Sequence, residues 1–279
     1  MDLDREPDLR DEPYGPHERN RFDLWMAEGD TPRPLLLFFH PGGFQGGDKR
    51  NVDGALLQGC LGAGISYAAV NYRLSQHAVY PASMHDSARA VQHVRHNAGR
   101  WNIDPTRVAA TGASAGAGIS LWLAFHDDLA DPDAEDPVAR QSTRVTCAIA
   151  RNAQSTYDPR VIKEIIPGDA YRERALVQLF GLPPEWDWDR DEVDAETDAL
   201  IRDASPINHL TEDDAPVFVF HRESQNVEGN IHHANFGRHL KDAMDEVGVE
   251  CVRRMDSDYD SPEQATEAMM AFLKRQFGM

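Results

Sequence analysis

Residues 112–116 read Gly-Ala-Ser-Ala-Gly, which is the pattern of a nucleophile elbow with Ser114 at its tip. The apolar residues 108–111 before it predict a strand, and the Ala- and Leu-rich residues up to about 126 predict a helix. A sharp turn between a strand and a helix, with small neighbours, leaves a serine hydroxyl clear of its own backbone. Ser114 is therefore the candidate nucleophile, and it needs a general base to take its proton.

A second glycine-rich stretch, residues 40–44, reads His-Pro-Gly-Gly-Phe and follows a predicted buried strand. It matches the type of loop whose backbone N–H groups hold an oxyanion. Pro41 has no N–H, but Gly42 and Gly43 keep theirs. We expect these two amides and that of Ala115 to form an oxyanion hole, in which each donor lowers the barrier by roughly 3–4 kcal/mol.

The general base is harder to place, because a serine nucleophile of this kind usually draws it from a loop near the C-terminus and no histidine follows His239. His232 and His233 are the main candidates. They lie between a predicted strand and a predicted helix, at the carboxyl end of the sheet, where Ser114 also lies. Both stay open at this point. The other candidates are His85, His126, His209 and His221, and the first, second and last of these have ordinary packing explanations.

The elements that must position these residues alternate along the chain. Apolar runs predict strands at 35–40, 65–72, 108–111, 145–150, 216–221 and 250–254, and helical patterns lie between several of them. This alternation is typical of an α/β protein with a doubly wound, mostly parallel sheet. A chain of 279 residues suits a single domain, residues 1–279, and the irregular residues 153–213 predict a small cap or loop insertion within it.

Composition restricts the classes of partner. The formal net charge of −19 disfavours nucleic acids and anionic membranes, which bind clustered Lys and Arg. No apolar run is long enough to span a membrane, and the acidic residues 1–10 do not resemble a signal peptide. Cys60, Cys147 and Cys251 lie far apart in apolar surroundings, which predicts reduced core residues. We therefore expect a cytoplasmic protein with a small-molecule partner, and a homodimer is compatible with the sequence.

Taken together, the motifs resemble those of the α/β-hydrolase superfamily, in particular the hormone-sensitive-lipase-like and acetylesterase or feruloyl-esterase-like carboxylesterases. Besides the two glycine motifs, the resemblance rests on Asn-Tyr-Arg-Leu at 71–74, Tyr-Pro-Ala at 80–82 and Trp-Asn-Ile-Asp-Pro at 101–105. The order and spacing of these motifs match the family across residues 35–125. The resemblance implies a carboxylic ester hydrolase that forms an acyl-enzyme on Ser114, acts on small or short-chain esters and needs no cofactor.

The chain departs from the family where the other two members of the triad belong. The family's aspartate follows the strand that ends near residue 221, but residues 222–226 read Arg-Glu-Ser-Gln-Asn. The family's histidine follows the last strand, but residues 255–260 contain aspartates and no histidine. One interpretation is a relocated triad, with His232 or His233 oriented by Glu223 or Asp258. The other is a decayed site in a pseudohydrolase or ligand-binding protein.

The sequence contains no metal-binding motif of familiar spacing. His232 and His233 are adjacent rather than four residues apart, and no Cys-x-x-Cys occurs. Residues 256–260 resemble the start of a calcium loop, but Ser261 stands where such a loop requires glycine. We therefore expect neither a metal ion nor a cofactor.

Overall fold

The computed structural model describes residues 5–279, in which eight strands form one sheet. Their bounds are β1 Leu9–Pro13, β2 Arg21–Trp25, β3 Arg33–Phe39, β4 Ser66–Val70, β5 Ile103–Ala113, β6 Ala148–Arg151, β7 Val217–His221 and β8 Cys251–Met255. The strand order is β1-β2-β4-β3-β5-β6-β7-β8. Strands β3 to β8 all run parallel to one another. Strand β2 runs antiparallel to both of its neighbours, β1 and β4. Parallel pairing brings the carboxyl ends of β3, β5, β6, β7 and β8 to one edge of the sheet, which is where α/β proteins place their sites.

Helices cover both faces of this sheet. Their bounds are α1 Gly54–Gly62, α2 Ala82–His96, α3 Ala115–Phe125, α4 Pro159–Ile165, α5 Arg174–Leu179, α6 Ala195–Ala204, α7 Asn235–Glu246 and α8 Pro262–Gln276. Because side chains alternate along a strand, Leu36 and Phe38 of β3 pack on the side of α1 and α8, and Leu35 and Leu37 pack on the side of α2, α3 and α7. No helix within residues 5–279 is both long enough and apolar enough to cross a lipid bilayer.

The doubly wound, mostly parallel sheet predicted from the sequence is confirmed, with β3 to β8 at the predicted places. β1 and β2 were not predicted. In β2, Asp23 interrupts the apolar run, yet its side chain is only 3% exposed and accepts a hydrogen bond from Lys49 Nζ at 2.6 Å. The Lys49 side chain is itself 5% exposed. A buried ion pair therefore joins β2 to Lys49, and its charged Asp23 hides the apolar pattern that would predict a buried strand.

The segment between β6 and β7 contains α4, α5 and α6 and two short 3-10 helices, Ala170–Arg172 and Pro206–His209. Within it, α5 lies against the glycine loop that follows β3, because a Cβ built on Gly43 would lie 3.4 Å from the Cβ of Ala175. The segment thus contributes side chains to the carboxyl edge of the sheet. Its treatment as a cap, residues 153–213, stays a prediction, as does the single-domain boundary 1–279.

Candidate active site

Ser114 lies at the turn between β5 and α3, in a backbone conformation that few non-glycine residues adopt, with φ 51° and ψ −121°. The glycines beside it have no room for a side chain. A Cβ on Gly116 would lie 1.9 Å from the carbonyl oxygen of Phe39, and one on Gly112 would lie 2.3 Å from the carbonyl carbon of Gly116. The spacing Gly-x-Ser-x-Gly is therefore required by the close approach of β3, β5 and the first turn of α3.

His232 meets the serine, since its Nε2 lies 2.8 Å from Ser114 Oγ. Two contacts hold the loop that carries it. The backbone N–H of His232 donates to Asn230 Oδ1 at 2.8 Å, and Gln154 Nε2 donates to the carbonyl of Ile231 at 2.7 Å. For Nε2 to accept the serine proton, the ring proton must be on Nδ1. The pair has the distance that a nucleophile and its general base require.

The surroundings of His232 favour its neutral form. Burial of the half-buried ring lowers the pKa of His232 below its usual value, and the negative charge of Glu173 opposes this shift. Glu173 is an exposed residue that precedes α5, and it lines the same cavity as Ser114 and His232. Among residues 5–279, no side chain forms a hydrogen bond with Nδ1 of His232. The serine and histidine therefore form a dyad with a carboxylate nearby.

His233 points elsewhere. Its side chain is 8% exposed, and its Nδ1 accepts a hydrogen bond from the backbone N–H of Asn235 at 3.1 Å, at the first residue of α7. Burial, together with the positive charge of Arg238, lowers the pKa of His233. The structure thus brings His232 to Ser114 and gives His233 a role at the start of the helix.

Neither carboxylate considered in the sequence analysis reaches His232. Asp258 Oδ2 accepts a hydrogen bond from the backbone N–H of Met255 at 2.8 Å, which caps a short 3-10 turn. Glu223 lines a separate cavity of about 710 Å³ between the ends of β7 and β8 and α8, and this cavity includes neither Ser114 nor His232. The geometry does not support an orienting role for Glu223 or Asp258, because the last two loops turn them away from the nucleophile.

The glycine loop after β3 presents free amides beside the serine. Gly42 and Gly43 have positive φ values of 134° and 59°, and the carbonyl of Gly42 accepts hydrogen bonds from the next turn at 2.9 and 3.1 Å. Within residues 5–279, the backbone N–H groups of Gly42 and Gly43 have no hydrogen-bond acceptor, and neither does that of Ala115, the first residue of α3. All three residues line the cavity that contains Ser114. Their N–H groups are therefore available to a developing oxyanion.

His40, the first residue of this loop, holds it through contacts of its buried ring. Its ring is fully buried and stacks on Tyr72 with the ring centroids 4.3 Å apart. Nδ1 lies 2.9 Å from the carbonyl of Pro41 and Nε2 lies 3.0 Å from Arg19 Nη2. Because a carbonyl only accepts and a guanidinium only donates, the ring carries its proton on Nδ1. Burial lowers the pKa of His40 to about 4, so the ring is neutral and serves the loop structurally.

The cavity in front of Ser114 has a volume of about 410 Å³ and is mainly apolar. Its apolar lining comes from Phe44, Tyr157, Leu176, Leu179 and Ile231. Several of these residues belong to the segment between β6 and β7, whose irregular sequence carried no recognisable signal for them or for Glu173. Although the cavity beside Glu223 is larger, the smaller one brings together Ser114, His232 and the amides of Gly42, Gly43 and Ala115.

The four other histidines considered as the base, His85, His126, His209 and His221, do not line this cavity. His221 Nε2 lies 3.2 Å from the carbonyl of Ala153, and His126 Nδ1 lies 2.9 Å from that of Asp127. His209 Nε2 lies 2.7 Å from the carbonyl of Asp203, and His85 lies near Trp122 with ring centroids 6.3 Å apart. All four therefore have packing or backbone contacts in place of a contact with Ser114.

Comparison with known proteins finds a family match and sequence similarity to several esterases. A sequence model of the BD-FAE family matches residues 22–230. Esterase LipQ of Mycobacterium tuberculosis is 25% identical over 239 residues, which cover 84% of this chain and 52% of LipQ. Esterase LipI of the same organism is 33% identical over 132 residues, which cover 44% of this chain and 41% of LipI. The chain therefore spans about half the length of these curated relatives.

Solved structures agree in fold along nearly the whole chain. A truncated carbohydrate esterase from gut microbiota superposes with a TM-score of 0.76 at 19% identity, covering 97% of this chain and 96% of that one. Thermogutta terrifontis esterase 2, phosphonylated by sarin, has a TM-score of 0.75 at 19% identity and covers 99% of this chain and 98% of its own. At this level of identity the likeness establishes the fold.

Proposed function

The chain belongs to the BD-FAE family of α/β-hydrolases, and we propose on this basis that it is a serine-dependent carboxylic ester hydrolase. The observation that carries the proposal is the 2.8 Å contact between Ser114 Oγ and His232 Nε2, in a cavity lined by three free backbone amides. The named esterases among its relatives support the same reaction class.

In the proposed reaction, His232 Nε2 takes the proton of Ser114 as Oγ attacks the ester carbonyl. The amides of Gly42, Gly43 and Ala115 stabilise the negative charge that develops on the carbonyl oxygen. When the intermediate collapses, His232 gives its proton to the leaving alkoxide, and the acyl group stays on Ser114. Water then repeats the sequence with His232 as base, which releases the acid and restores the serine.

The charge of Glu173 would assist the protonated form of His232 in this cycle. It acts through space, because Nδ1 of His232 has no hydrogen bond within the described residues. This arrangement differs from a triad in which a buried carboxylate holds the imidazole directly. We therefore propose a catalytic dyad with an exposed electrostatic partner, in place of the relocated triad with Glu223 or Asp258.

The size and lining of the cavity indicate the substrate class. A volume of about 410 Å³ is near the lower end for small-molecule sites, and the apolar walls suit a short acyl chain. We propose small or short-chain esters as substrates. A cytoplasmic location and a homodimer remain predictions from the sequence.

A test of this function compares Ser114→Ala with the unaltered chain on a short-chain aryl ester. We expect kcat to fall by at least about 1,000-fold, because no second serine, threonine or cysteine lines the cavity. Ser224→Ala is the matched control, since Ser224 is exposed and lines the larger cavity. Unchanged turnover in Ser114→Ala would contradict the proposal.

The alternative is a pseudohydrolase that binds an ester-like ligand in the same cavity. The observation in its favour is that no side chain among residues 5–279 forms a hydrogen bond with His232 Nδ1. It predicts ligand binding without any covalent acyl-enzyme, which separates it from the hydrolase in a single mass measurement after mixing with an activated ester.

A further inference from the structure

Away from Ser114, three side chains from three different elements converge. They are His126, which directly follows α3, Asp203 of α6, and His209 of the 3-10 helix Pro206–His209. One ligand atom from each lies within 4.8 Å of the other two. Asp203 Oδ1 lies 3.6 Å from His126 Nε2 and 3.7 Å from His209 Nε2. Ligand atoms roughly 2.0–2.2 Å from a tetrahedral zinc ion are about 3.3–3.6 Å apart, so two edges of such a site are nearly in place.

The outer contacts of two of these residues leave the right atoms free. Tyr80 donates its hydroxyl proton to Asp203 Oδ2, which leaves Oδ1 to face the histidines. His126 Nδ1 lies 2.9 Å from the carbonyl of Asp127, so Nδ1 carries a proton and Nε2 is the ring atom that faces Asp203. A metal-bound histidine almost always donates its other ring proton in this way.

His209 completes the set from the other side. Its Nε2 lies 2.7 Å from the carbonyl of Asp203, to which it donates a proton when no cation is bound. A cation would replace that proton, which passes to solvent, and His209 Nε2 would turn from the carbonyl toward Oδ1 of Asp203, which lies 3.7 Å away. An open groove of about 690 Å³, lined by Asp203 and His209, gives a cation access.

We propose that His126, Asp203 and His209 bind one divalent transition-metal ion, with water completing the coordination. Two imidazoles and one carboxylate suit zinc among the available cations. None of the three residues lines the Ser114 cavity, so the ion acts on stability. It would tie the end of the nucleophile helix α3 to α6 and to the turn after it, and so fix the segment between β6 and β7 on the sheet.

The test uses the full chain without an affinity tag, stripped with a chelator and titrated with ZnCl₂ in a calorimeter. We expect one zinc ion per chain and a rise in Tm of about 5 °C at a zinc concentration near 100 times Kd. His126→Ala and His209→Ala should each weaken zinc binding by at least about 100-fold, because each removes one of three protein ligands. His96→Ala, at an exposed histidine, should leave Kd within about twofold and serves as the control.

A second measurement leaves His126, Asp203 and His209 unaltered, so it does not depend on whether the ligand variants fold. The indole of Trp122 stacks on the His126 ring with centroids 4.0 Å apart, so Cu²⁺ bound at this site should quench its fluorescence. In Trp122→Phe the saturable part of the quenching should disappear. The proposal is overturned if zinc shows no saturable binding near one ion per chain, or if binding persists unchanged in both His126→Ala and His209→Ala. Either result would mean that the cluster is a hydrogen-bond network alone.

Discussion

Replacing His232 with alanine should remove the general base while leaving the nucleophile and the oxyanion amides in place. The substitution eliminates the 2.8 Å hydrogen bond between His232 Nε2 and Ser114 Oγ. General-base catalysis contributes about 10²–10⁴-fold in rate, which corresponds to roughly 2.7–5.5 kcal/mol of barrier. Because Nδ1 lacks a hydrogen-bonded carboxylate among the described residues, we expect kcat to fall by about 10²–10³-fold, near the lower end of this range. The amides of Gly42, Gly43 and Ala115 should maintain the remaining rate.

The assay is the steady-state hydrolysis of a short-chain aryl ester at about pH 7.5 by His232→Ala and by its neighbour variant His233→Ala. His233 is buried and bonded to Asn235, so its removal should lower the stability but leave kcat within about threefold. Thermal melts of both variants show whether a fall in activity reflects unfolding. The assignment of His232 as the base is refuted if His233→Ala loses as much activity as His232→Ala, or if His232→Ala keeps full activity.

Four further predictions concern the site and its supports. The acid limb of the kcat/KM profile should lie below pH 6.5, because burial lowers the pKa of His232 and only the neutral ring acts as base. Glu173→Gln should move this limb to still lower pH, since it removes a charge that raises that pKa. Gly116→Ala should destabilise the fold by at least about 3 kcal/mol and abolish activity, because its Cβ would lie 1.9 Å from a backbone oxygen. Lys49→Met should lower the free energy of unfolding in urea by about 3–5 kcal/mol, because it leaves a buried carboxylate unpaired.

Each of these has a result that would count against it. An acid limb that stays at the same pH in Glu173→Gln, or moves to higher pH, would mean that the charge of Glu173 does not raise the pKa of His232. Gly99→Ala is the control for the elbow glycine, because a Cβ there meets nothing within 4 Å, and its melting temperature should stay within about 2 °C of the parent. An unfolding free energy unchanged in Lys49→Met would show that the ion pair contributes nothing net.

The sharp turn at Ser114 and the glycine loop after β3 were predictable because each depends on local backbone geometry. Gly112 and Gly116 are required where β3, β5 and α3 approach closely, and that requirement is visible in the residue types. The central strands β3 to β7 were predictable for a similar reason, since their apolar runs are buried on both faces, whereas β8 is a partly exposed edge strand. β2 was not, because Asp23 is buried with a partner 26 residues away along the chain.

The choice between His232 and His233 could not be made from the sequence. The side chains of adjacent loop residues point in different directions. Here the direction depends on the turn at Asn230, whose Oδ1 accepts a hydrogen bond from the backbone N–H of His232 at 2.8 Å. Glu173 carried no signal, because it reaches the site from a segment without recognisable periodicity. The cluster of His126, Asp203 and His209 was invisible for the same physical reason: its members come from separate elements and meet only through the packing of α3 against the segment between β6 and β7.

The catalytic pair is tested most directly by the mass of the intact chain after treatment with a fluorophosphonate, followed by peptide mapping. We predict one adduct per chain on Ser114, none in Ser114→Ala and much slower labelling in His232→Ala than in His233→Ala. A chain that stays unlabelled, or an adduct at another residue, would contradict the claim that Ser114 and His232 form the catalytic pair.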